Sequence, residues 1–346
     1  MARSIRSTPA LPDDRAPLSA AQITSWKEQG FALVSALLPE TLIRQVREAA
    51  LQRFPVAGSQ DAERYTNFGS NIVFPSSLDG FNDLTLHPRL LAATGQLLGC
   101  TTTDLRLTQS DLWPKYGREE RPGGPHDNQD QRVHVDYPNH MLTHPTPWHR
   151  PAAVEMIVYF DHHEEVGGGT AVVPREGHGD PAYPWPIIDT PGVAELDYVN
   201  DRPSAERYLR SVRPEAARWR ETLYQREVLS AFAPGDVLLY RHDTWHRGTP
   251  LEPGTLRLAH NLTYRHADAE WIATLHKGWS WNAYRKDRLI ERLIATATVA
   301  QRTVLGFPRP GSAYWDAATL AAVTARYEPL GFDPRPYAEA LTPQGG

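Results

Sequence analysis

The sequence predicts a mainly β protein, a sandwich or barrel flanked by helices earlier and later in the chain. Three observations predict it. Between about residues 104 and 266, short apolar runs recur at 105–112, 152–160, 169–173, 228–232, 237–241 and 256–264. Turn chemistry bounds several of them, as in Gly167-Gly168-Gly169 and Pro234-Gly235-Asp236, and many short strands with turn-rich joints make a packed or closed sheet. On either side of this stretch the apolar spacing is helical instead.

Residues 1–17 are expected to be a flexible tail. Ser19 opens a helix: with Gln22 it forms a capping box, and Gly30 can close the helix in a left-handed conformation. A short strand over 31–34 follows. A second helix runs from Pro39, with Leu42, Ile43, Val46, Ala49 and Ala50 on one face. A third covers 88–98 and ends at Gly99. Two long polar stretches interrupt the strands. Residues 117–132 are rich in Gly and Pro and are expected to act as a lid or specificity loop. Residues 179–225 are Pro-rich at first, then charged and helical. Loops of such length in a compact domain are usually functional or disordered. The chain returns to helix from about 267, most clearly over 287–305. The expected organisation is one domain over 18–346: a helical part (18–103), the β core (104–266) and a helical extension (267–346).

Composition narrows the function classes. The 346 residues, 40% of them hydrophobic, suffice for a sizeable core. The net charge of −5, without a basic run, argues against nucleic acid as a partner, because neutralising phosphates needs clustered Lys and Arg. Cys100 is the one cysteine, so an intrachain disulfide is excluded and a reducing, cytoplasmic setting is expected. The N-terminus has no apolar core of a signal peptide. No stretch approaches the ~18 uninterrupted apolar residues of a membrane span.

The central motif is His134-Val135-Asp136. In an extended strand, residues two apart point to one face, so both side chains can reach one ion. A second histidine must come from elsewhere, and His246 in Arg241-His242-Asp243-Thr244-Trp245-His246 is the best placed by type and context. Two His and one carboxylate on one face of an octahedron leave three positions open, the arrangement of ferrous oxygenases. The chain has 14 His, so His-x-Asp by itself also fits a surface pair at a strand end. Arg257, eleven residues after His246 in the apolar run Leu256-Arg257-Leu258-Ala259, adds a second feature. A guanidinium among apolar neighbours is costly unless it meets an anion, and its planar fork takes a carboxylate with two hydrogen bonds. A structural ion pair would use the same residue. A zinc hydrolase could use the same ligand types but would leave Arg257 without a purpose.

These pieces, in this order, resemble the phytanoyl-CoA dioxygenase family of 2-oxoglutarate-dependent oxygenases. The N-terminal Leu18-Ser19-Ala20-Ala21-Gln22 and Gln29-Gly30-Phe31-Ala32-Leu33-Val34 are similar to that family's opening segment. His134-Val135-Asp136 matches its first two iron ligands. Residues 167–174, with His178 after them, are similar to its glycine turn and Pro-x-x-x-His segment. Ala233-Pro234-Gly235-Asp236-Val237 followed by His246 matches the strand that carries the third ligand, and Arg257 falls at its co-substrate arginine. The resemblance spans roughly residues 18–266. It implies a double-stranded β-helix, a cupin-like jelly roll, with Fe(II) held by His134, Asp136 and His246 and 2-oxoglutarate by Arg257. It implies oxidation of a small-molecule substrate by O₂, coupled to decarboxylation of 2-oxoglutarate to succinate. Related halogenases lack the carboxylate ligand; Asp136 is present, which points to hydroxylation or another oxidation such as desaturation. A non-catalytic metal- or ligand-binding protein on the same scaffold is the alternative from a different class.

The resemblance also implies a polar co-substrate contact on the strand before the first polar loop, where Gln109 and Ser110 lie, Gln109 being preferred. Tyr159 fits core packing better than that pocket. Gly248 stands where some relatives carry a hydroxyl, so one co-substrate hydrogen bond is in doubt. His162-His163-Glu164-Glu165 precedes a Gly-rich turn and reads as a solvated hairpin tip rather than a second metal cluster. His140, His144 and Trp148 follow the iron motif and could line a substrate mouth or decorate a loop.

Overall fold

Local chemistry places the first elements where the sequence puts them. Ser19 and Gln22 cap each other's backbone reciprocally, Gln22 N donating to Ser19 Oγ at 3.3 Å and Ser19 N to Gln22 Oε1 at 2.8 Å. The resulting helix α1 (Ala20–Gln29) ends at Gly30, whose φ of 98° is a left-handed value that favours glycine. The structure, a computed structural model, describes residues 3–65, 72–119, 130–141, 144–184, 200–269, 289–304 and 307–341. Most of the 117–132 loop and residues 185–199 lie outside the described residues, and so does the proposed lid.

Eleven strands are described: β1 (Arg3–Arg6), β2 (Thr8–Pro9), β3 (Phe31–Ser35), β4 (Ile72–Val73), β5 (Leu105–Tyr116), β6 (Ala153–Tyr159), β7 (Thr170–Val172), β8 (Val228–Ala231), β9 (Val237–Tyr240), β10 (His246–Gly248) and β11 (Leu256–His266). They form a four-stranded sheet in the order β1-β8-β7-β10 and a seven-stranded sheet in the order β2-β3-β9-β6-β11-β5-β4. After α1 the helices are α2 (Glu40–Leu51), α3 (Phe81–Thr85), α4 (Pro88–Leu98), α5 (Tyr137–His140), α6 (His163–Val166), α7 (Arg202–Val212), α8 (Pro214–Arg226), α9 (Leu289–Thr296), α10 (Val299–Val304), α11 (Ala317–Tyr327) and α12 (Arg335–Leu341). This is a β-rich jelly-roll core with flanking helices. No described helix is long and apolar enough to cross a membrane.

The period of two along each strand separates two cores. On β6, Val154, Met156 and Val158 join Trp26, Ile43, Val46, Phe81, Leu84 and Leu90 of the N-terminal helices. Ile157 and Tyr159, on the other face, pack with Val172 and Val228 of the smaller sheet. The large sheet is therefore covered by helices on one side and by the small sheet on the other.

Residues 3–9 depart from the expected flexible tail. Arg3–Arg6 pairs in parallel with Val228–Ala231, and Thr8–Pro9 with Val34–Ser35, so this segment edges both sheets. Backbone pairing holds it while its side chains stay mostly exposed, and so it has no apolar pattern to read. Where the sequence suggests one domain from residue 18 onward, the chain groups into two compact units. One comprises residues 1–133, 153–177 and 198–267 and holds both sheets; the other comprises 134–152, 178–197 and 268–346. The second unit closes an aromatic core of its own, with Phe307, Trp315, Tyr327, Phe332 and Tyr337 buried together. The helix expected over 287–305 is two helices, α9 and α10, because Thr298 caps the second by accepting from Gln301 N at 3.3 Å.

Candidate metal centre

His246 opens β10 and faces Val172 of β7 across the ladder. Its ring is 4.7 Å from that of Tyr240. Its Nδ1 lies 2.9 Å from the Thr244 carbonyl oxygen. An Nδ1–H donated to a carbonyl fixes the tautomer that carries its lone pair on Nε2, the form a metal ligand needs. His134 is a single bridge residue, and Asp136 has helical dihedrals (φ −94°, ψ −20°) as the residue before α5. The two therefore do not share an extended strand as expected from their spacing. The helical turn begun by Tyr137-Pro138 bends the chain at Asp136, yet the side chains still converge, with His134 Nε2 3.7 Å from Asp136 Oδ1. His134, Asp136 and His246 each offer one ligand atom, and these atoms all lie within 4.8 Å of one another. Nothing else among the described residues gathers three such side chains. Two imidazoles and one carboxylate at that separation suit a divalent first-row metal such as Fe(II).

Arg257 sits on β11, 2% exposed. Its Nε and Nη1 have no hydrogen-bond partner, and burial pulls its pKa below the ordinary value, with Tyr159 and Asp161 pushing it back up. A side chain at Gly168 would come within 3.3 Å of Arg257 Nη1 and 2.7 Å of Leu251 Cγ, and Gly168 has a φ of 65°. Glycine there keeps the space beside the guanidinium open. Tyr159 donates to Thr170 Oγ1 at 2.8 Å and lies 3.2 Å from Ser230 Oγ. Its ring stacks on Phe232 at 3.9 Å, so it belongs to the core while bordering Arg257. The sequence reading missed Thr170 and Ser230. A hydroxyl at the inward phase of Val228-Leu229-Ser230-Ala231-Phe232 was the available signal. Thr170 is also the ladder partner of Gly248, so a hydroxyl is present across from the position where Gly248 lacks one.

Gln109 faces the same side of the large sheet as Arg257 but not beside it. It pairs with Thr263, six positions beyond Arg257 on β11, roughly 20 Å along the strand. The Thr263 hydroxyl meets Gln109 Oε1 at 3.3 Å and also the carboxylate of Glu155, a buried acid the sequence reading did not single out. Ser110 points the other way, toward the helices, and meets His260 Nε2 at 2.9 Å. His162, Glu164 and Glu165 are exposed at the start of α6, as a solvated tip should be; His163 sets its ring edge against Phe232. His140 and His144 are both buried, and the His144 ring packs against Tyr137 at 5.5 Å.

A sequence model of the phytanoyl-CoA dioxygenase family matches residues 26–254. A search of curated proteins returned no match. Among solved structures, the chain is similar to the non-heme alpha-ketoglutarate-dependent carbocyclase SnoK of nogalamycin biosynthesis, at 20% identity and a TM-score of 0.46 over 75% of this chain and 89% of that one. It is similar to EvdO2 from Micromonospora carbonacea var. aurantiaca, solved with 2-oxoglutarate, at 17% identity and a TM-score of 0.49 over 76% and 96%. AviO1 from Streptomyces viridochromogenes gives 16% identity and a TM-score of 0.48 over 72% and 96%. Likenesses this distant carry nothing about substrate, and the assignment rests on the family match together with the three converging side chains. The chain belongs to the phytanoyl-CoA dioxygenase family and is an enzyme of the iron- and 2-oxoglutarate-dependent oxygenase type.

Proposed function

We propose that the protein hydroxylates, or otherwise oxidises, one C–H bond of a small organic substrate, with His134, Asp136 and His246 holding Fe(II) and Arg257 holding the far carboxylate of 2-oxoglutarate. The convergence of the three ligand atoms within 4.8 Å carries this reading. The buried guanidinium of Arg257 supports the co-substrate part, since a dicarboxylate would supply the acceptors that its Nε and Nη1 lack. Bound iron and 2-oxoglutarate supply the oxidation, leaving succinate and CO₂. The chain's own part is binding and placement. The imidazoles and the carboxylate would hold the iron, Arg257 would orient the co-substrate, and the Tyr159 ring covers one side of the guanidinium. Gln109, with Thr263 and Glu155, lies on the same face of the sheet at a distance that suits the substrate end rather than the carboxylate end.

The net charge of −5 and the single cysteine support a small-molecule partner rather than nucleic acid and a cytoplasmic setting. The test is a metabolite-extract screen with the Fe(II) protein, following succinate and mass gains of one oxygen. Iron-dependent consumption of 2-oxoglutarate with a product gaining oxygen is the expected result. Absence of any iron-dependent turnover would favour a binding protein on the same scaffold.

A further inference from the structure

The charged insertion before β8 folds into the helix pair α7–α8, and its inward-facing side chains converge on the residues that flank the proposed metal ligands. Arg220, fully buried, binds Glu206 with two nitrogens (Nε–Oε1 2.8 Å, Nη2–Oε1 2.5 Å) and donates through Nη2 to the Val133 carbonyl at 3.1 Å. The Tyr224 hydroxyl accepts from Val133 N at 3.0 Å and donates to Glu206 Oε1 at 2.6 Å. Both backbone groups of Val133, the residue before His134, are thus taken by side chains of α8 as a neighbouring strand would take them.

The same helix reaches the other ligand. Trp219 sets its edge against Trp245, the residue before His246, at 5.2 Å. Arg247, the residue after it, lies over the Tyr224 ring at 5.6 Å, forks onto Glu227 (2.7 and 3.0 Å) and binds Asp130 at 2.7 Å. Asp130 also takes Arg202 of α7 at 3.0 Å. Gln131 and Gly248 exchange two hydrogen bonds, Gln131 N to Gly248 O at 3.0 Å and Gly248 N to Gln131 Oε1 at 2.8 Å. Three guanidiniums, Arg202, Arg220 and Arg247, are balanced by three carboxylates, Asp130, Glu206 and Glu227. A partly buried network of this kind is often no more stabilising than apolar packing of the same volume, but it fixes geometry.

We propose that α7–α8 is the positioning clamp of the metal centre, with Arg220 and Tyr224 setting Val133, and through it His134, in register with the Trp245-His246-Arg247 segment. The inference rests on the metal-site reading above. Its roles are positional: neither Arg220 nor Tyr224 offers one of the three ligand atoms.

Binding of Co(II) alone to the metal-free protein, followed by its visible bands, tests it without turnover. His134→Ala should lose Co(II) binding. Tyr224→Phe, which keeps the ring under Arg202 and Arg247 and removes one oxygen, should weaken Co(II) about tenfold and shift the bands, within the range that partners outside the ligand set command. Arg220→Lys should do the same. Arg218→Ala, on the exposed side of α8, should match the wild type. If His134→Ala binds Co(II) normally, the metal-site reading itself fails. If His134→Ala loses the metal while Tyr224→Phe keeps wild-type affinity and bands, the clamp fails and the site stands. An Arg218→Ala loss equal to that of Tyr224→Phe would also overturn it, as a general effect of the helix. Should Arg220→Lys not fold, Tyr224→Phe decides; a Tyr224→Phe protein unfolded at room temperature would make the hydroxyl structural and sink the proposal.

Discussion

The guanidinium carbon of Arg257 lies 6.0 Å from the centre of the Tyr159 ring, while its Nε and Nη1 have no hydrogen-bond partner. A cation–π contact recovers part of a buried charge's lost hydration, on the order of 2 kcal/mol, which leaves most of the desolvation cost standing. Removing the charge should therefore act in opposite directions on the empty and the loaded protein. Arg257→Met is expected to raise the melting temperature without co-substrate and to weaken 2-oxoglutarate about 100-fold, the worth of roughly 3 kcal/mol of charge-assisted hydrogen bonds. Arg257→Lys should recover only part of the affinity, since a point charge cannot replace a fork. Melting curves with and without 2-oxoglutarate check both signs, because a ligand that binds only the folded state raises the transition. A wild-type response in Arg257→Met would remove this residue from the co-substrate site.

The ligand assignment predicts one Fe(II) per chain. His134→Ala and His246→Ala each delete one donor of three and should weaken Fe(II) by more than about 100-fold, beyond what partners outside the ligand set command. Asp136→Asn keeps an oxygen but loses the charge, so its loss should be smaller than that of Asp136→Ala. Anaerobic metal titration with equilibrium dialysis reads all four. Equal affinity in His246→Ala and wild type would break the triad.

Much of this was legible in the sequence, for identifiable reasons. The capping box at Ser19, the left-handed Gly30 and the helix 88–98 rest on interactions within a few residues of one another, so local pattern sufficed. Arg257 could be singled out because a charge in an apolar strand is costly wherever the strand goes. The N-terminal strands could not, since Arg3–Arg6 is held by backbone bonds to β8, more than two hundred positions away. The turn at Asp136 was misread because His-x-Asp spacing fits a strand, while the competing signal, Pro138 at the start of a four-residue helix, is short. Glu155 escaped attention because one acid in an apolar run gives no hint of its partner Thr263 on another strand.

Asp161 ties the large sheet to helix α2. Its Oδ2 accepts from Leu258 N at 2.8 Å, and its Oδ1 binds Arg47 of α2 at 2.9 Å. The carboxylate is buried while the Arg47 side chain is 41% exposed, so the ion pair itself is weak and screened. The backbone bond should matter more. Asp161→Asn can still accept from Leu258 N and should cost under about 1 kcal/mol. Asp161→Ala leaves that N–H buried without an acceptor, at roughly 1–3 kcal/mol. Urea unfolding of the two variants side by side separates the terms, and equal losses would show that the charge rather than the acceptor is what counts.

His260 makes the stability depend on pH in a direction the hydrogen-bond chain fixes. Thr85 Oγ1 donates to the Phe81 carbonyl at 3.0 Å, so its lone pair is left to accept from Ser110 Oγ at 2.9 Å. The Ser110 proton being spent there, Ser110 accepts from His260 Nε2 at 2.9 Å. The neutral imidazole therefore carries its proton on Nε2, its Nδ1 is buried without a partner, and the ring centres of His260 and Phe81 lie 4.7 Å apart. A second proton would put a charge and an unsatisfied donor into apolar surroundings, and burial accordingly pushes the pKa from 6.5 down to about 3. Well above pH 6.5 folded and unfolded chains bind the same number of protons here, and the full stability is present. As the pH falls below 6.5 the unfolded chain takes up a proton the folded one refuses, so stability declines until about pH 3. At about 1.4 kcal/mol per pH unit, this one group should remove about 2 kcal/mol between pH 6.5 and 5. His260→Gln should start out less stable at pH 7, having lost packing on Phe81, but lose less on acidification than the wild type does. Urea midpoints of both proteins at pH 7 and pH 5 test this through their difference, in which the other histidines cancel. Parallel losses in the two proteins would mean that His260 takes up its proton without unfolding and that its burial is not what makes the protein acid-sensitive.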